Sequence, residues 1–194
     1  MSPRAVGEKR RLDLISAAYH AIAEHGFEGL RTRDVAAEAG VNVATLHYYF
    51  PTKESLIRGV VDHAMSRFQS TLTPRGAPAV QLRNHLRAVR RLLLDEPELG
   101  AVMAELALRA ARDQAIQDLL AGTFLAWQRT MRGLLRRGVK EGKMRAELDS
   151  AGVAAIVMAT LTACMLPVMN TSPIGDQALG QLEKWLGVAS PARS

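Results

Sequence analysis

A short stretch near the N-terminus combines small side chains with polar and aromatic ones in an order suited to contacting DNA. Val43, Ala44 and Thr45 are short and carry methyl groups, whereas His47 and Tyr48 follow one helical turn later. Methyl groups can contact thymine in the major groove, and imidazole and phenol groups can hydrogen-bond to phosphates. This order predicts a helix whose first turn approaches base edges and whose last turn reaches the DNA backbone.

Further hydrogen-bond donors flank this stretch and would extend the same contact. Thr32 and Arg33 precede it, Asn42 begins it, and Lys53 opens the next predicted helix. A lysine at a helix N-terminus, where the helix dipole is positive, favours a phosphate. A basic N-terminal arm that could lie along the DNA backbone or in the minor groove comprises Arg4, Lys9, Arg10 and Arg11.

Two short helices joined by a glycine turn would hold these side chains. The sequence predicts the first over residues 32–39, capped by Thr32, and the second from its cap Asn42 to about Tyr49. Gly40 supplies the left-handed conformation that ends the first helix. This spacing is that of a helix-turn-helix. A helix is predicted over residues 8–25, with an apolar face of Leu12, Ile15, Tyr19 and Ile22. We expect the inner side of the helix-turn-helix to pack on Ile15, Tyr19 and Ile22 and to comprise Val35, Ala36, Ala39, Val41, Leu46 and Phe50.

The rest of the chain also shows helical periodicity, and no run alternates convincingly with the period of a strand. Thr52 is predicted to cap a helix that runs to about Thr71, and a Pro/Gly break follows at residues 73–79. The predicted fold is all-α: a three-helix helix-turn-helix domain over residues 1–52, a connecting helix over residues 53–72, and a larger C-terminal helical bundle with dimerisation helices over residues 73–194.

Composition fits a folded intracellular protein but does not identify a partner by itself. The formal net charge of +6 permits nucleic-acid binding, yet residues 1–73 hold 9 basic against 8 acidic side chains, so the argument depends on where particular charges lie. The single cysteine, Cys164, excludes an internal disulfide and favours a reducing cytoplasm. No nucleophile elbow, phosphate loop, paired acids or metal cluster is present, so we expect no enzyme activity, cofactor or metal.

Residues 151–169 carry no formal charge, which leaves two interpretations. Their length would allow a membrane span, but Pro167, the small residues and the missing aromatic belt argue against one. We interpret the segment as a helix covered on two sides in a homodimer, with Ala159 near the partner helix. We expect the last helix, with Leu179, Leu182 and Leu186, to need the same partner, because its own chain would bury it poorly.

The stretch LRTRDVAAEAGVNVATLHYYFPTKESLIRGVV, residues 30–61, resembles the DNA-binding domain of the TetR family of bacterial transcriptional regulators. The resemblance lies in a pattern whose parts follow in this order along the chain: a threonine, a β-branched residue followed by alanine, Ala-Gly-Val, Thr-Leu, an aromatic triplet, and Lys-Glu with a leucine two residues later. The family commonly has Tyr where this chain has His47, which predicts a weaker phosphate contact, or a pH-dependent one if the histidine titrates near neutrality. The resemblance implies DNA contacts at Thr32, Arg33, Val43, Ala44, Thr45, His47, Tyr48 and Lys53.

The resemblance further implies a repressor that binds a pseudo-palindromic operator in double-stranded DNA and is released by a small-molecule effector. Methionines and aromatics form adaptable apolar walls, although most such residues at helical spacing belong to a core. The alternative is a DNA-binding protein without an effector, whose second domain only dimerises. Candidates to line an effector pocket in the second domain are Met103, Phe124, Trp127, Met131, Met158 and Met165.

Overall fold

Helices make up the regular secondary structure of residues 3–188, the range that this computed structural model describes. No strand occurs in that range, so the all-α prediction is confirmed. Residues 1–2 and 189–194, the ends of the first and last predicted domains, lie outside the described residues. The helices are α1 (Pro3–His25), α2 (Thr32–Glu38), α3 (Val43–Tyr49), α4 (Lys53–Ser70), α5 (Pro78–Asp95), α6 (Pro97–Ala110), α7 (Gln114–Lys140), α8 (Ser150–Ala163), α9 (Pro167–Asn170) and α10 (Pro173–Trp185).

The first helix differs from its prediction at both its apolar face and its basic end. Ile15, Tyr19 and Ile22 are buried as expected, but Leu12 is 49% exposed, and Leu14 is buried instead. The helix also begins earlier than predicted, at Pro3 rather than at about residue 8, so Arg4 lies within α1 together with Lys9, Arg10 and Arg11. The side chains of the basic arm therefore project from a helix, and their contact with DNA stays a prediction.

Helix ends follow the local sequence at two of three predicted caps. The Asn42 side chain accepts a hydrogen bond from the Thr45 amide at 2.8 Å, and the Thr52 hydroxyl accepts one from the Ser55 amide at 3.1 Å. The cap predicted at Thr32 is wrong. Arg31 occupies that position in an extended conformation without a capping side chain, and Thr32 is the first helical residue.

The chain forms two compact units. The first comprises residues 1–66 and 101–120, and the second comprises residues 67–100 and 121–194. Helices α4, α6 and α7 therefore each contribute residues to both units. In the first unit, α1 packs against α2 and the short 3-10 turn Phe27–Gly29, and α2 packs against α3.

In the second unit α10 packs against α5, α8 and α9. Ion pairs join α5 to α10, because the Arg87 guanidinium donates to both Glu183 carboxylate oxygens at 2.7 and 2.6 Å. The Arg90 Nε donates to Asp176 at 2.7 Å, and this hydrogen bond lowers the pKa of the Asp176 carboxyl.

The uncharged segment is interrupted where a single helix was predicted. Helix α8 begins at Ser150, with Asp149 accepting from the Ala151 and Gly152 amides, but it ends at Ala163. Turn residues follow, and Pro167 opens the separate short helix α9. Within residues 3–188, no helix combines the length and the apolar character that a bilayer crossing requires.

The prediction that α10 needs a partner for its leucines is wrong. Leu179, Leu182 and Leu186 are at most 5% exposed within the single chain, because α5 and α8 cover that face. Helix α10 nevertheless carries two exposed apolar side chains, Ile174 and Trp185, at 51% and 58% exposure.

Candidate nucleic-acid interface

Backbone hydrogen bonds fix the turn between α2 and α3. The Val41 amide donates to the Ala36 carbonyl at 2.9 Å, and the Gly40 amide donates to the Ala37 carbonyl at 3.0 Å. This pair of bonds is the Schellman arrangement that closes a helix through a left-handed residue. Gly40 has a φ of 66°, which a residue without a β-carbon adopts at little cost. The turn therefore sets the direction in which α3 leaves α2.

The inner side of α3 is anchored firmly. Leu46 and Phe50 are 1% and 2% exposed, and Val35 and Ala36 of α2 are buried as predicted. Ala39 and Val41 differ from the prediction because they are only half-buried at the turn. Burying two large apolar side chains from so short a helix holds its orientation, since each contributes about 1.5–3 kcal/mol.

The outer side of α3 is open to solvent. Asn42, Ala44, His47 and Tyr48 are exposed, and Val43 and Thr45 are half-buried. The Asn42 side chain also accepts a hydrogen bond from the Thr45 hydroxyl at 2.9 Å. Because that bond occupies the Thr45 hydroxyl, the methyl group is the part of the Thr45 side chain that remains for contact with a partner molecule. The sequence did not reveal this division of roles.

Among the described residues of this unit, Tyr48 is the most exposed large apolar side chain, at 80%. Its ring meets that of Tyr49 edge-on, with centroids 5.1 Å apart and an interplanar angle of 89°. Tyr49 instead lies against α1. Its hydroxyl oxygen would be 3.4 Å from a β-carbon placed on Gly7. One tyrosine thus faces α1, and the other is available to a partner molecule.

The remaining predicted contacts lie at the starts of α2 and α4. Arg33 is exposed in the first turn of α2, next to the half-buried Thr32. Lys53 is the first residue of α4, directly after the cap Thr52. Its ammonium lies 5.2 Å from the centre of the Phe27 ring, a cation–π distance that restrains the lysine without neutralising it.

Phe27 has further partners that the sequence did not indicate. The Arg109 guanidinium lies 5.0 Å from the same ring, and the Phe27 amide donates to the Glu105 carboxylate at 3.1 Å. Both partners come from α6, in the section of chain that clusters with the first unit. Contacts across such a sequence separation leave no periodic signal, so no pattern in the sequence could have revealed them.

The predicted effector-pocket residues divide between the two units. Met103 lies in the section that clusters with the first unit, and Phe124, Trp127, Met131, Met158 and Met165 lie in the second. Except for the half-buried Phe124, all are buried. The Phe124 and Trp127 rings stack at 6.3 Å, and Trp127 also stacks on Phe68 at 5.5 Å. Within residues 3–188, no group of three or more His, Cys, Asp or Glu side chains is arranged to hold a metal.

Two known protein families match this chain, one in its N-terminal half and the other in its C-terminal half. The family described as "Bacterial regulatory proteins, tetR family" matches residues 14–60, and the one described as "Tetracyclin repressor-like, C-terminal domain" matches residues 98–171. Together these regions cover more than half of the chain. The chain belongs to the TetR family of bacterial transcriptional regulators. The resemblance carried by residues 30–61 is thereby confirmed, and so is the prediction of a regulator rather than an enzyme.

Individual relatives are distant. The chain is 28% identical over 144 residues to the HTH-type transcriptional regulator RutR of Escherichia coli strain K12, covering 73% of this chain and 66% of the relative, just under two thirds of its length. It is 27% identical over 154 residues to the uncharacterized HTH-type transcriptional regulator YdeS of Bacillus subtilis, covering 76% and 72%.

Solved structures share the fold along most of their length. A TetR transcription regulator from Haloarcula marismortui matches with a TM-score of 0.79 at 20% identity, covering 92% of this chain and 97% of that one. A transcriptional regulator from Saccharomonospora viridis in complex with choline matches with a TM-score of 0.71 at 22% identity, covering 92% and 95%. At these identities the matches establish the fold alone.

Proposed function

We propose that this chain is a dimeric, sequence-specific DNA-binding regulator that represses transcription and leaves its operator when a small molecule binds. The outward face of α3 carries the proposal. A short helix is held by Leu46 and Phe50 on one side and presents exposed polar and aromatic side chains on the other. This is the form in which a recognition helix enters the major groove.

On this proposal the individual side chains have different tasks. The methyl groups of Val43, Ala44 and Thr45 contact base edges, and His47 and Tyr48 contact phosphates. Arg33 at the start of α2 reads a base or binds a phosphate. Lys53 binds the backbone alone, because a single ammonium carries no base-pair code.

A dimer would bring two such helices to the two halves of a pseudo-palindromic operator. The support lies on α8, whose exposed residues Ala155, Ala159 and Thr162 repeat at helical spacing, and the exposed Leu166 follows in the turn after this helix. Small side chains allow a second helix to approach closely, and Ile174 and Trp185 leave apolar surface exposed on α10. An isologous contact between α8 and α10 of two chains would cover both faces.

Release by an effector requires that the effector bind the released conformation more tightly than the DNA-bound one. Helix α4 could transmit the change, because it begins at Lys53 in the first unit and ends in the second. A structural relative is described in complex with choline, which supports a small-molecule ligand for this chain. The effector of this chain is left open by that comparison.

The test is selection of a duplex from a random pool, followed by gel-shift titration of variants. Arg33→Ala should lose about 1–3 kcal/mol and relax the preference at one base pair if Arg33 reads a guanine. Lys53→Ala should weaken all duplexes about equally and reduce the salt dependence of binding.

The matched control is Arg112→Ala, which removes an exposed cation of the same unit outside α2, α3 and α4. It should bind the selected duplex like the wild type. If Arg33→Ala and Lys53→Ala also bind like the wild type, the assigned DNA face is wrong. Operator binding that no small molecule alters would favour the alternative of a regulator without an effector.

A further inference from the structure

A groove in the second unit is lined by none of the residues that the sequence assigned to the effector pocket. Its volume is about 550 Å³, which is within the range of small-molecule sites. Its apolar side chains are Leu72, Pro74 and the buried Leu134. Polar groups complete the lining at Thr73, Gln81, Arg129, Thr130 and Arg137.

Two arginines of α7 line this groove on one helical face. Arg129, Gly133 and Arg137 follow each other at spacings of four residues, so the two arginine positions are about 12 Å apart along the helix. No carboxylate of residues 3–188 lies within ion-pair distance of either guanidinium. Arg129 is held by donation from its Nε to the Leu125 carbonyl at 3.2 Å, which leaves its terminal nitrogens available.

Gly133 explains why the groove exists at this point of α7. A glycine inside a helix costs about 1 kcal/mol relative to alanine, so its position needs a compensating reason. A β-carbon here would lie 3.7 Å from the Arg137 Nη1, so the guanidinium folds back over the space that the missing side chain leaves. The glycine thus places no side chain in the groove, and the Arg137 guanidinium lies beside it.

The positive charge continues beyond this groove. A second depression of about 510 Å³ shares Gly133 and Arg137 and is also lined by Arg136, Lys140, Val139 and Ser150. Between residues 128 and 145 the chain has seven Lys or Arg and one acidic residue, Glu141. An apolar floor therefore adjoins a concentrated, unpaired positive charge.

The wall opposite α7 is preorganised. The Gln81 amide nitrogen donates to the Gly76 carbonyl at 2.6 Å, which ties the 73–77 loop to α5. Gly76 has a φ of 95°, a backbone conformation that glycine adopts readily. A ligand would therefore meet a formed loop rather than pay to order one.

We propose that this groove binds an amphipathic organic anion, with its apolar body on Leu72, Pro74 and Leu134 and its carboxylate or phosphate on Arg129 and Arg137. Guanidinium groups bind both acid types through paired N–H donors. This site would give the effector of the proposed function a chemical class. The release of DNA on anion binding rests on the proposed function, whereas anion binding itself does not. Ligand binding itself is measured without DNA.

The test is isothermal titration with probes that share one apolar chain and differ in charge: octanoate, octyl phosphate, 1-octanol and octyltrimethylammonium, all below micelle formation. Octanoate or octyl phosphate should bind about tenfold or more tightly than octanol, because a charge-assisted hydrogen bond to guanidinium is formed. The tighter of the two identifies the acid group. Inorganic phosphate alone should bind more weakly than octyl phosphate, because it makes no contact with the apolar floor.

Variants locate the site. Arg129→Gln combined with Arg137→Gln should weaken the anionic probes about tenfold or more and leave octanol unchanged. Arg132→Gln is the matched control, since it removes an exposed cation of α7 that lines neither depression. Gly133→Leu should prevent binding of every octyl probe without changing charge, and its thermal unfolding verifies that it folds.

Four results would overturn the site: no binding of either anionic probe, equal binding of octanoate and octyltrimethylammonium, wild-type affinity in the double variant, or an equal loss in Arg132→Gln. Operator affinity is measured separately by gel shift. A wild type that binds octanoate but no operator contradicts the proposed function and leaves the site standing. A wild type that binds operator but none of the anions contradicts the site alone.

Discussion

Stability should fall in mild acid because of a histidine in the core of the second unit. His85 has no exposed surface, and its Nε2 accepts a hydrogen bond from the Trp127 Nε1 at 2.9 Å. Since an indole nitrogen can only donate, the proton of the neutral ring lies on Nδ1, which donates to the Thr71 hydroxyl at 2.7 Å. The Thr71 hydroxyl in turn donates to the Phe68 carbonyl at 2.6 Å. A second proton on His85 would oppose the N–H of Trp127.

The magnitude follows from the pKa of the imidazole. Burial lowers the pKa of His85 from its ordinary 6.5 to about 4, and a hydrogen bond with the Thr71 backbone offsets only part of that effect. Well above pH 6.5 the histidine is neutral in both the folded and the unfolded chain. As the pH falls toward 4, only the unfolded chain takes up the proton, so the free energy of unfolding decreases by about 1.36 kcal/mol per pH unit. The full loss is on the order of 3 kcal/mol.

The assay is urea unfolding at a series of pH values between 7 and 4, with His85→Gln as the perturbation. Glutamine can accept from Trp127 and donate to Thr71 but does not titrate, so the variant should lose less stability over this range than the wild type. The difference between the two profiles isolates His85 from the carboxylates that also titrate. Leu82→Ala, a buried change on the same helix, should lower stability at every pH and keep the wild-type slope.

Parallel profiles for the wild type and His85→Gln would refute this reasoning, because they would mean that folding does not alter the proton affinity of His85. A His85→Gln variant that is steeper than the wild type would do the same. Unfolding followed by both fluorescence and circular dichroism verifies that a single transition is being compared.

Three further changes test the packing. Gly100→Ala should cost about 1–3 kcal/mol in urea unfolding, because its β-carbon would lie 2.8 Å from the Met165 carbonyl oxygen; stabilisation by the better helix former would contradict this. Arg87→Ala should lower the free energy of unfolding by about 1–2 kcal/mol, because it leaves the Glu183 side chain, which is only 8% exposed, without its partner. A variant as stable as the wild type would show that water replaces the guanidinium. Ala159→Arg should convert a dimer to a monomer in analytical ultracentrifugation by burying an unpaired charge; an undiminished dimer would remove α8 from the interface.

Local chemistry made the helix-turn-helix predictable. The cap at Asn42, the left-handed Gly40 and the cap at Thr52 each depend on residues at most five positions apart, so the sequence contains the whole cause. The Thr32 prediction failed because a threonine is equally compatible with the first helical position, and the geometry of Arg31 decides between them.

Contacts between distant segments were not predictable. Periodicity indicated that Leu179 and Leu182 lie on one face of α10, but it could not indicate that α5 and α8 would cover that face. The partners of Phe27 and the neighbours of His85 are likewise separated from them by tens of residues. The groove beside Gly133 could not be predicted either, because one of its walls is the loop at residues 73–77. The proline and glycine residues of this loop indicated only an interruption between helices.

The recognition role of α3 is tested most directly by fluorescence anisotropy of a labelled selected operator titrated with Tyr48→Ala. Because Tyr48 is 80% exposed, its removal should leave the thermal unfolding midpoint unchanged. Leu125→Ala, which removes a 54% exposed apolar side chain from the second unit, is the control and should bind DNA like the wild type. Our account predicts that Tyr48→Ala binds the operator about tenfold or more weakly, through loss of a phosphate contact and of packing at the groove wall. Wild-type affinity in a folded Tyr48→Ala protein would contradict it.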